Sequence, residues 1–420
     1  MTVKEDFEFL NSAIWINYSQ KQYRTPEEIK YRITQLGEKE EDWPEIKNKI
    51  ARLRKTAAIP FFLKSIDKKF WFYPADCIYK KADDIEKLGS ELYQKIFAQS
   101  AFATEFVLDA TIEEAITSAI YEGANSTRAK AKELIESQKI PKDKDEWMLY
   151  NNYHAMLWIK KNQKHSINLD AFNELHGIVT KNTLAGDDIN FSGKFRNDRV
   201  FVYSTLGEMK HEGVAHELLE KTINEAIDIT IKNDRYFPKV LKGIILQYFT
   251  SYIHPFFDGN GRTARALFYF KAIKNDLKFV ELLSISAYLK AHGKQYEKSF
   301  EKVVESDLDL TYFIDFNLDA LLEALKKVSD KVDHLLKINS LKASLGLTGN
   351  QVGLLQRLAL HKFRKDDIET YAESINKSRE IARQELKRLV ELGLLEEIKE
   401  GKKFVYKIKI DALSEKLEAI

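Results

Sequence analysis

The chain has 420 residues, 44% hydrophobic and 31% charged, with 66 Lys and Arg against 64 Asp and Glu. That balance is ordinary globular protein with room for about two or three domains, and it excludes a disordered or fibrous chain. A formal net charge of +2 excludes binding of nucleic acid or anionic membrane by bulk electrostatics, the single Cys77 cannot close an intramolecular disulfide, and no apolar run reaches the ~18 residues of a membrane helix.

Met1 to Leu10 carries Lys4, Glu5, Asp6 and Glu8 where a secretory signal has an apolar run, so a cytoplasmic address is expected. Residues 1–103 read as a small α/β accessory domain. Pro26 and Pro44 are expected to break helical runs, and Ile59 to Leu63 and Phe70 to Tyr73 have the aromatic-rich pattern of short strands.

Residues 104–325 turn helical. Ala115, Ile116, Ala119 and Ile120 share one face, and Val240, Ile244, Tyr248 and Tyr252 recur at helical spacing on another. Within this stretch Gly193 to Tyr203 has β-formers around Asn197 and Asp198, which predicts a short hairpin set among helices, an edge on which an extended peptide docks. His211 and His216 are five apart, not the four that a zinc helix needs, and read as surface or packing histidines.

The chemistry concentrates in His254-Pro255-Phe256-Phe257-Asp258-Gly259-Asn260-Gly261-Arg262-Thr263-Ala264-Arg265. An apolar helix runs into Pro255, which biases His254 towards an extended backbone, and a second helical pattern resumes through Ala266 and Leu267. Gly259 and Gly261 let backbone N–H groups approach an anion at the positive end of that second helix. Arg262 and Arg265, three apart, present guanidinium groups for phosphate oxygens, and Asp258 is a hard oxygen ligand for Mg²⁺. His254, ordinarily titrating near pH 6.5, takes a proton from an attacking hydroxyl. Phe256 is the anchor that fixes the turn in the core.

Residues 326–345 form a charged helical connector. In residues 346–420, Ile368, Tyr371, Ala372 and Ile375 make one helical face, Ser378 caps a second helix packed through Ala382, Leu386, Leu389 and Val390, and Gly393 ends it. Strand patterns then flank Glu400-Gly401-Lys402, so this part resembles a winged helix-turn-helix. Arg379, Arg383, Lys387, Arg388, Lys402 and Lys403 are its candidates for DNA, interspersed with Glu380, Glu385, Glu396, Glu397 and Glu400, which makes protein contact an equal alternative.

The His254 to Arg265 segment resembles the Fic family motif H-P-F-x-[DE]-G-N-G-R-x-x-R at every defined position, and the resemblance spans roughly residues 104–316. It implies a mainly α chain: a Fic helical domain with a β-hairpin flap, a small α/β N-terminal domain and a C-terminal winged helix. It implies a protein adenylyltransferase that moves AMP from ATP, with Mg²⁺, to a Ser, Thr or Tyr hydroxyl of a target protein or of itself. His254 is then the general base, Asp258 the Mg²⁺ ligand, Gly259, Asn260 and Gly261 the cradle of the α-phosphate, and Arg262 and Arg265 the hold on the outer phosphates. Lys194, Phe195, Arg199, Phe201 and Val202 fall in the flap that docks the target, Val200 walls the nucleotide pocket, and Tyr296 lies near the adenine or ribose. Ser118, Glu122 and Gly123 resemble the family's inhibitory motif, with Glu122 pairing Arg265. Relatives with such a brake often form homodimers. The alternatives are a de-AMPylase using the same glutamate, a Doc-like phosphate transferase, against which Gly261 argues, and a winged-helix DNA-binding regulator with the Fic domain as sensor. No membrane partner is expected.

Overall fold

Helices make up most of the computed structural model, which describes residues 3–37, 39–98, 100–137, 139–203, 207–231, 236–360, 365–401 and 403–418. Pro26 and Pro44 start helices instead of ending them. Pro26 opens Pro26–Lys30 behind a capping box, in which Glu28 N donates to Thr25 Oγ1 at 3.2 Å and Thr25 N to Glu28 Oε2 at 3.1 Å. Pro44 sits in the first turn of Trp43–Ala57. A first-turn N–H has no helical partner to lose, so proline is tolerated there.

The chain divides into two units, residues 1–90 with 113–325 and residues 91–112 with 326–420. In the first unit, strands β1 (Ile59–Leu63) and β2 (Lys68–Phe72) pair antiparallel from Ile59↔Phe72 to Leu63↔Lys68. Alternation buries Ile59, Phe61 and Leu63. The outer edge of β2 takes up a later segment, Trp71 N donating to Leu308 O at 3.1 Å and Leu310 N to Trp71 O at 2.8 Å. Below it lies a buried polar network. Arg54 stacks 4.1 Å from the Tyr23 ring and donates to Ser19 Oγ and the Tyr312 hydroxyl at 3.1 and 3.2 Å, while the Tyr23 hydroxyl donates to Asp309 at 2.5 Å. Burial pushes the Asp309 carboxyl up to about 6.

The centre of this unit is the antiparallel pair Lys239–Ile253 and Asn260–Lys274. Val240, Ile244 and Tyr248 are buried along the first helix, as the spacing predicts. Gly243 admits the second helix closely, since a Cβ there would stand 3.1 Å from the Phe268 ring. Lys144–Lys161 and Leu169–Thr180 pack on this pair, and strands β3 (Phe201–Tyr203) and β4 (Met209–Glu212) form a separate two-stranded sheet.

The second unit ends in Gly349–Leu360, strand β5 (Asp366–Asp367), helices Ile368–Ile375 and Arg379–Glu391, strands β6 (Leu395–Glu400) and β7 (Lys403–Ile408), and Ile410–Glu418. Its sheet has the order β5-β7-β6. Asn376, left-handed at φ 51°, makes the turn between the two middle helices, and Ser378 Oγ caps the second by accepting from Ile381 N at 3.4 Å. Tyr371, Ala382, Leu386, Leu389, Leu395 and Tyr406 form the buried side.

Candidate active site

Two left-handed residues bound the turn between the central helices: His254, with φ 53° and ψ 60°, and Gly259, with φ 79°. Pro255 therefore does not hold His254 extended, as the pre-proline bias predicts. The His254 backbone is bonded on both sides, its N–H donating to Thr250 O at 3.1 Å and its carbonyl accepting from Arg196 Nε at 2.8 Å, and these bonds override the bias. Asn260 closes the turn on itself, its amide bonding the N–H and the carbonyl of Phe256 at 3.0 and 2.7 Å. Its side chain thus shapes the loop.

Phe256 is fully buried and stacks parallel on His176 at 3.7 Å. His176 Nδ1 accepts from Gly193 N at 3.0 Å, so Nε2 carries the proton and donates to Asp258 O at 2.9 Å. Burial pushes this imidazole down to about 4, which keeps it neutral in that role. The Asp258 carboxylate is exposed, and its Oδ1 lies 3.7 Å from Arg262 Nη2. A Cβ on Gly259 would lie 2.6 Å from Thr180 Cγ2. Gly259→Ala combines that overlap with a left-handed backbone, and it is expected to lower stability by about 3 kcal/mol, read as a fall in the denaturant midpoint.

Both arginines are buried. Arg262 Nη1 donates to Val179 O at 2.7 Å, and its Nε is buried with no hydrogen-bond partner. An orphaned buried donor costs about 1–3 kcal/mol, which a bound anion offsets. Arg265 donates from Nε and Nη2 to Ser118 Oγ at 3.1 and 3.0 Å, and from Nη2 to Glu122 Oε1 at 2.9 Å. Gly123, at φ 96°, follows the end of the Ser100–Tyr121 helix, so the negative end of that helix faces the guanidinium. Only a bare Cα at Gly261 admits the Glu122 carboxylate, since a Cβ would stand 2.5 Å from Oε1. Two turns earlier on the same face, Glu114 is buried and accepts from Ser286 N at 3.0 Å and Ser286 Oγ at 2.6 Å. Burial raises its carboxyl pKa.

The hairpin lies later in the chain than the alternation predicts. Phe201 pairs with Glu212 and Val202 with His211, so the connection includes residues 204–206, outside the described residues, and Asn197 and Asp198 precede β3. The cause is Arg196, a residue that the sequence pattern does not single out. It is buried, its N–H donates to Pro255 O at 3.0 Å, and its guanidinium reaches the carbonyls of His254, Val214 and Asp198, which holds this stretch against the turn instead of in a sheet. Of the expected flap residues, Phe201 and Val202 are in β3. Arg199 bridges to Glu212 at 2.6 Å, Phe195 packs 5.4 Å from Phe256, and Lys194 is exposed in the preceding turn. Gly213 lies between Val200 and His254, where a Cβ would approach them to 2.8 and 3.2 Å. Tyr296 is buried among aromatic rings with its hydroxyl bonded to Gln247 at 3.1 Å, 6.0 Å from the Tyr121 ring. His211 donates to Tyr252 O at 2.5 Å, and among the described residues no three metal-ligating side chains cluster.

Residues 166–271 match the sequence model of the Fic/DOC family. A Fic family protein from Desulfovibrio desulfuricans G20 superposes with a TM-score of 0.54 at 14% identity, over 79% of this chain and 95% of that one. A fragment of Fic-1 from C. elegans gives 0.45 at 17% identity over 60% and 71%. A Fic domain containing signaling protein from Bacteroides thetaiotaomicron VPI-5482 gives 0.41 at 17% over 65% and 97%. No curated protein matches the chain. The first likeness shows a shared fold, and among the described residues no helix is long and apolar enough to cross a membrane. The hairpin and the glycine turn both fall inside the matched segment, and the chain accordingly carries a Fic/DOC family domain at residues 166–271.

Proposed function

We propose that this chain transfers AMP from ATP to a Ser, Thr or Tyr hydroxyl of a target protein, or of itself, and that Glu122 holds the activity in check. The observation that carries the reading is the meeting of one carboxylate, Glu122, with Arg265 at 2.9 Å and with Gly261 at the start of a helix whose N–H groups attract anions. A phosphate of the nucleotide needs the position that the carboxylate holds.

The orphaned Arg262 Nε and the narrow space at Gly259 and Gly261 fit a phosphate chain laid across the turn. The exposed Asp258 carboxylate fits Mg²⁺, which takes one or two carboxylates and completes its shell with phosphate oxygens and water. When bound, the ion neutralises charge on the phosphates. His254 Nδ1 faces the carbonyl of Ser251 at 3.3 Å, which can only accept, so the proton is on Nδ1 and Nε2 is the free base. That nitrogen takes the proton of the target hydroxyl as its oxygen attacks the α-phosphorus. The new P–O bond forms while the bond to pyrophosphate breaks, pyrophosphate leaves, and the proton rests on His254. Mass spectrometry of target or chain after incubation with ATP and Mg²⁺ tests the reading: an AMP adduct supports it, and a phosphate adduct replaces it with the Doc-like reaction.

Burial pushes the His254 imidazole down to about 4. A base acts only when unprotonated, so kcat/KM is expected to stay level from pH 8 to about pH 5 and to fall near pH 4, where an ordinary imidazole loses activity near 6.5. A pH profile with its acid limb at 6.5 contradicts this.

We read the C-terminal residues 346–420 as a winged-helix contact module for protein more than for DNA. The basic groups expected to meet phosphate are engaged within the chain: Arg379 with Glu369, Arg383 with Glu380 at 3.7 Å, Lys387 with Glu391 at 3.8 Å, Lys403 with Asp367 at 3.3 Å, and Arg388 with the carbonyl of Leu345 at 3.2 Å. Lys402 lies outside the described residues.

A further inference from the structure

We propose that Arg196 is a positioning residue for the transfer, one that aims the His254 imidazole and ties its direction to the β3–β4 hairpin. The inference rests on the reading of His254 as the base. The helix Lys239–Ile253 ends with carbonyls that have no helical donor. Tyr252 O accepts from His211 Nε2 at 2.5 Å, Ile253 O from Val214 N at 3.1 Å, His254 O from Arg196 Nε at 2.8 Å and Pro255 O from Arg196 N at 3.0 Å. All of these donors belong to the stretch from Arg196 to Val214 that carries the hairpin, and Arg196 supplies two of them.

The guanidinium does more than cap. Its Nη2 donates to Val214 O and its Nη1 to Asp198 O at 2.5 Å, so one planar group spans the backbone of the base and both flanks of the hairpin. It is 2% exposed and bonded to carbonyl oxygens. A left-handed histidine before proline is a costly backbone state that persists only where neighbouring bonds over-determine it. Without the fork, the natural relaxation is to the extended state, which turns the Cβ of His254 and swings the ring. Gly213 leaves no slack in this arrangement: a Cβ there would lie 2.8 Å from Arg196 Nη2 and 3.2 Å from His254 Cβ. A target strand that docks on the hairpin therefore meets a base whose position is set by the same group.

The test uses the full chain carrying Glu122→Gly, with Arg196→Gln or Arg196→Lys added. For Arg196→Gln, kcat of AMP transfer is expected to fall about 100-fold while the KM for ATP changes by less than about twofold, as for a misplaced but intact base. Arg196→Lys, whose single ammonium reaches one carbonyl at a time, is expected to lose about tenfold. The second readout needs no nucleotide. Nitrogen-15 spectra of histidine-labelled protein at pH 7, assigned with His254→Ala, are expected to show His254 protonated on Nδ1 in the parent and a mixture of the two tautomers in the Arg196 variants. An unchanged kcat in Arg196→Gln, or a His254 signal identical to the parent in whichever variant folds, overturns the proposal. Failure of the Glu122→Gly chain to bind ATP sinks the nucleotide reading instead, and the histidine spectrum still decides the role of Arg196.

Discussion

Glu122→Gly is expected to raise incorporation of labelled AMP about 5- to 150-fold over the parent chain, the span of a coupling of about 1–3 kcal/mol between two ligands of one site. In the proposed reading the competing ligand is the chain's own Glu122 carboxylate, paired with Arg265 at 2.9 Å. Glu122 is partly exposed, its side chain at 27% against 5% for that of Arg265, so the solvent-facing partner of the pair is the carboxylate. Removing it does not strand the arginine, because Ser118 Oγ still accepts from Nε and Nη2 and the negative end of the Ser100–Tyr121 helix still faces the guanidinium. The group stays aimed at the turn while the carboxylate that neutralised it is gone. ATP with Mg²⁺ is accordingly expected to raise the melting temperature of the variant more than that of the parent. Equal incorporation by the two chains would remove the brake from the account.

In that activated background, His254→Ala is expected to lower transfer by about 10²- to 10⁴-fold, the usual contribution of a positioned general base. The imidazole hangs from a backbone bonded at its N–H and at its carbonyl, so truncation beyond Cβ leaves the turn in place. Asp258, Arg262 and Arg265 are untouched, so ATP affinity is expected to survive. Calorimetric binding with lost transfer is the signature of a missing base. Transfer within about tenfold of the activated parent would assign the proton to another group or to water.

The motif was legible because its parts are local: a histidine at a helix end, two glycines and two arginines at helical spacing describe a helix, turn, helix anion site within a dozen residues. The cap at Ser378 was legible for the same reason. What holds the site together was not. Arg196 and His176 act over 58 and 82 positions of chain on backbone atoms of the turn, and a bond to a carbonyl leaves no trace in the identity of the residue that owns it. The one signal present was an arginine embedded among Phe195, Val200, Phe201 and Val202, a charge in a run that otherwise invites burial. The hairpin was misplaced because alternation reports which residues tolerate a strand, while the pairing partner depends on where Arg196 is tethered. Tyr296 shows the opposite limit, since a tyrosine near a site in sequence is as well suited to an aromatic core as to a nucleotide.

The buried network of Tyr23, Arg54, Asp309 and Tyr312 bears on how the molecule can be divided. A fragment begun at the Ser100–Tyr121 helix would keep Asp309 and Tyr312 but discard the cation and phenol that answer them, and would bare the edge of the strand-like segment that Trp71 now covers. Residues 1–90 are thus an integral part of the unit that holds the glycine turn, and the smallest self-sufficient piece carrying that turn extends well upstream of it.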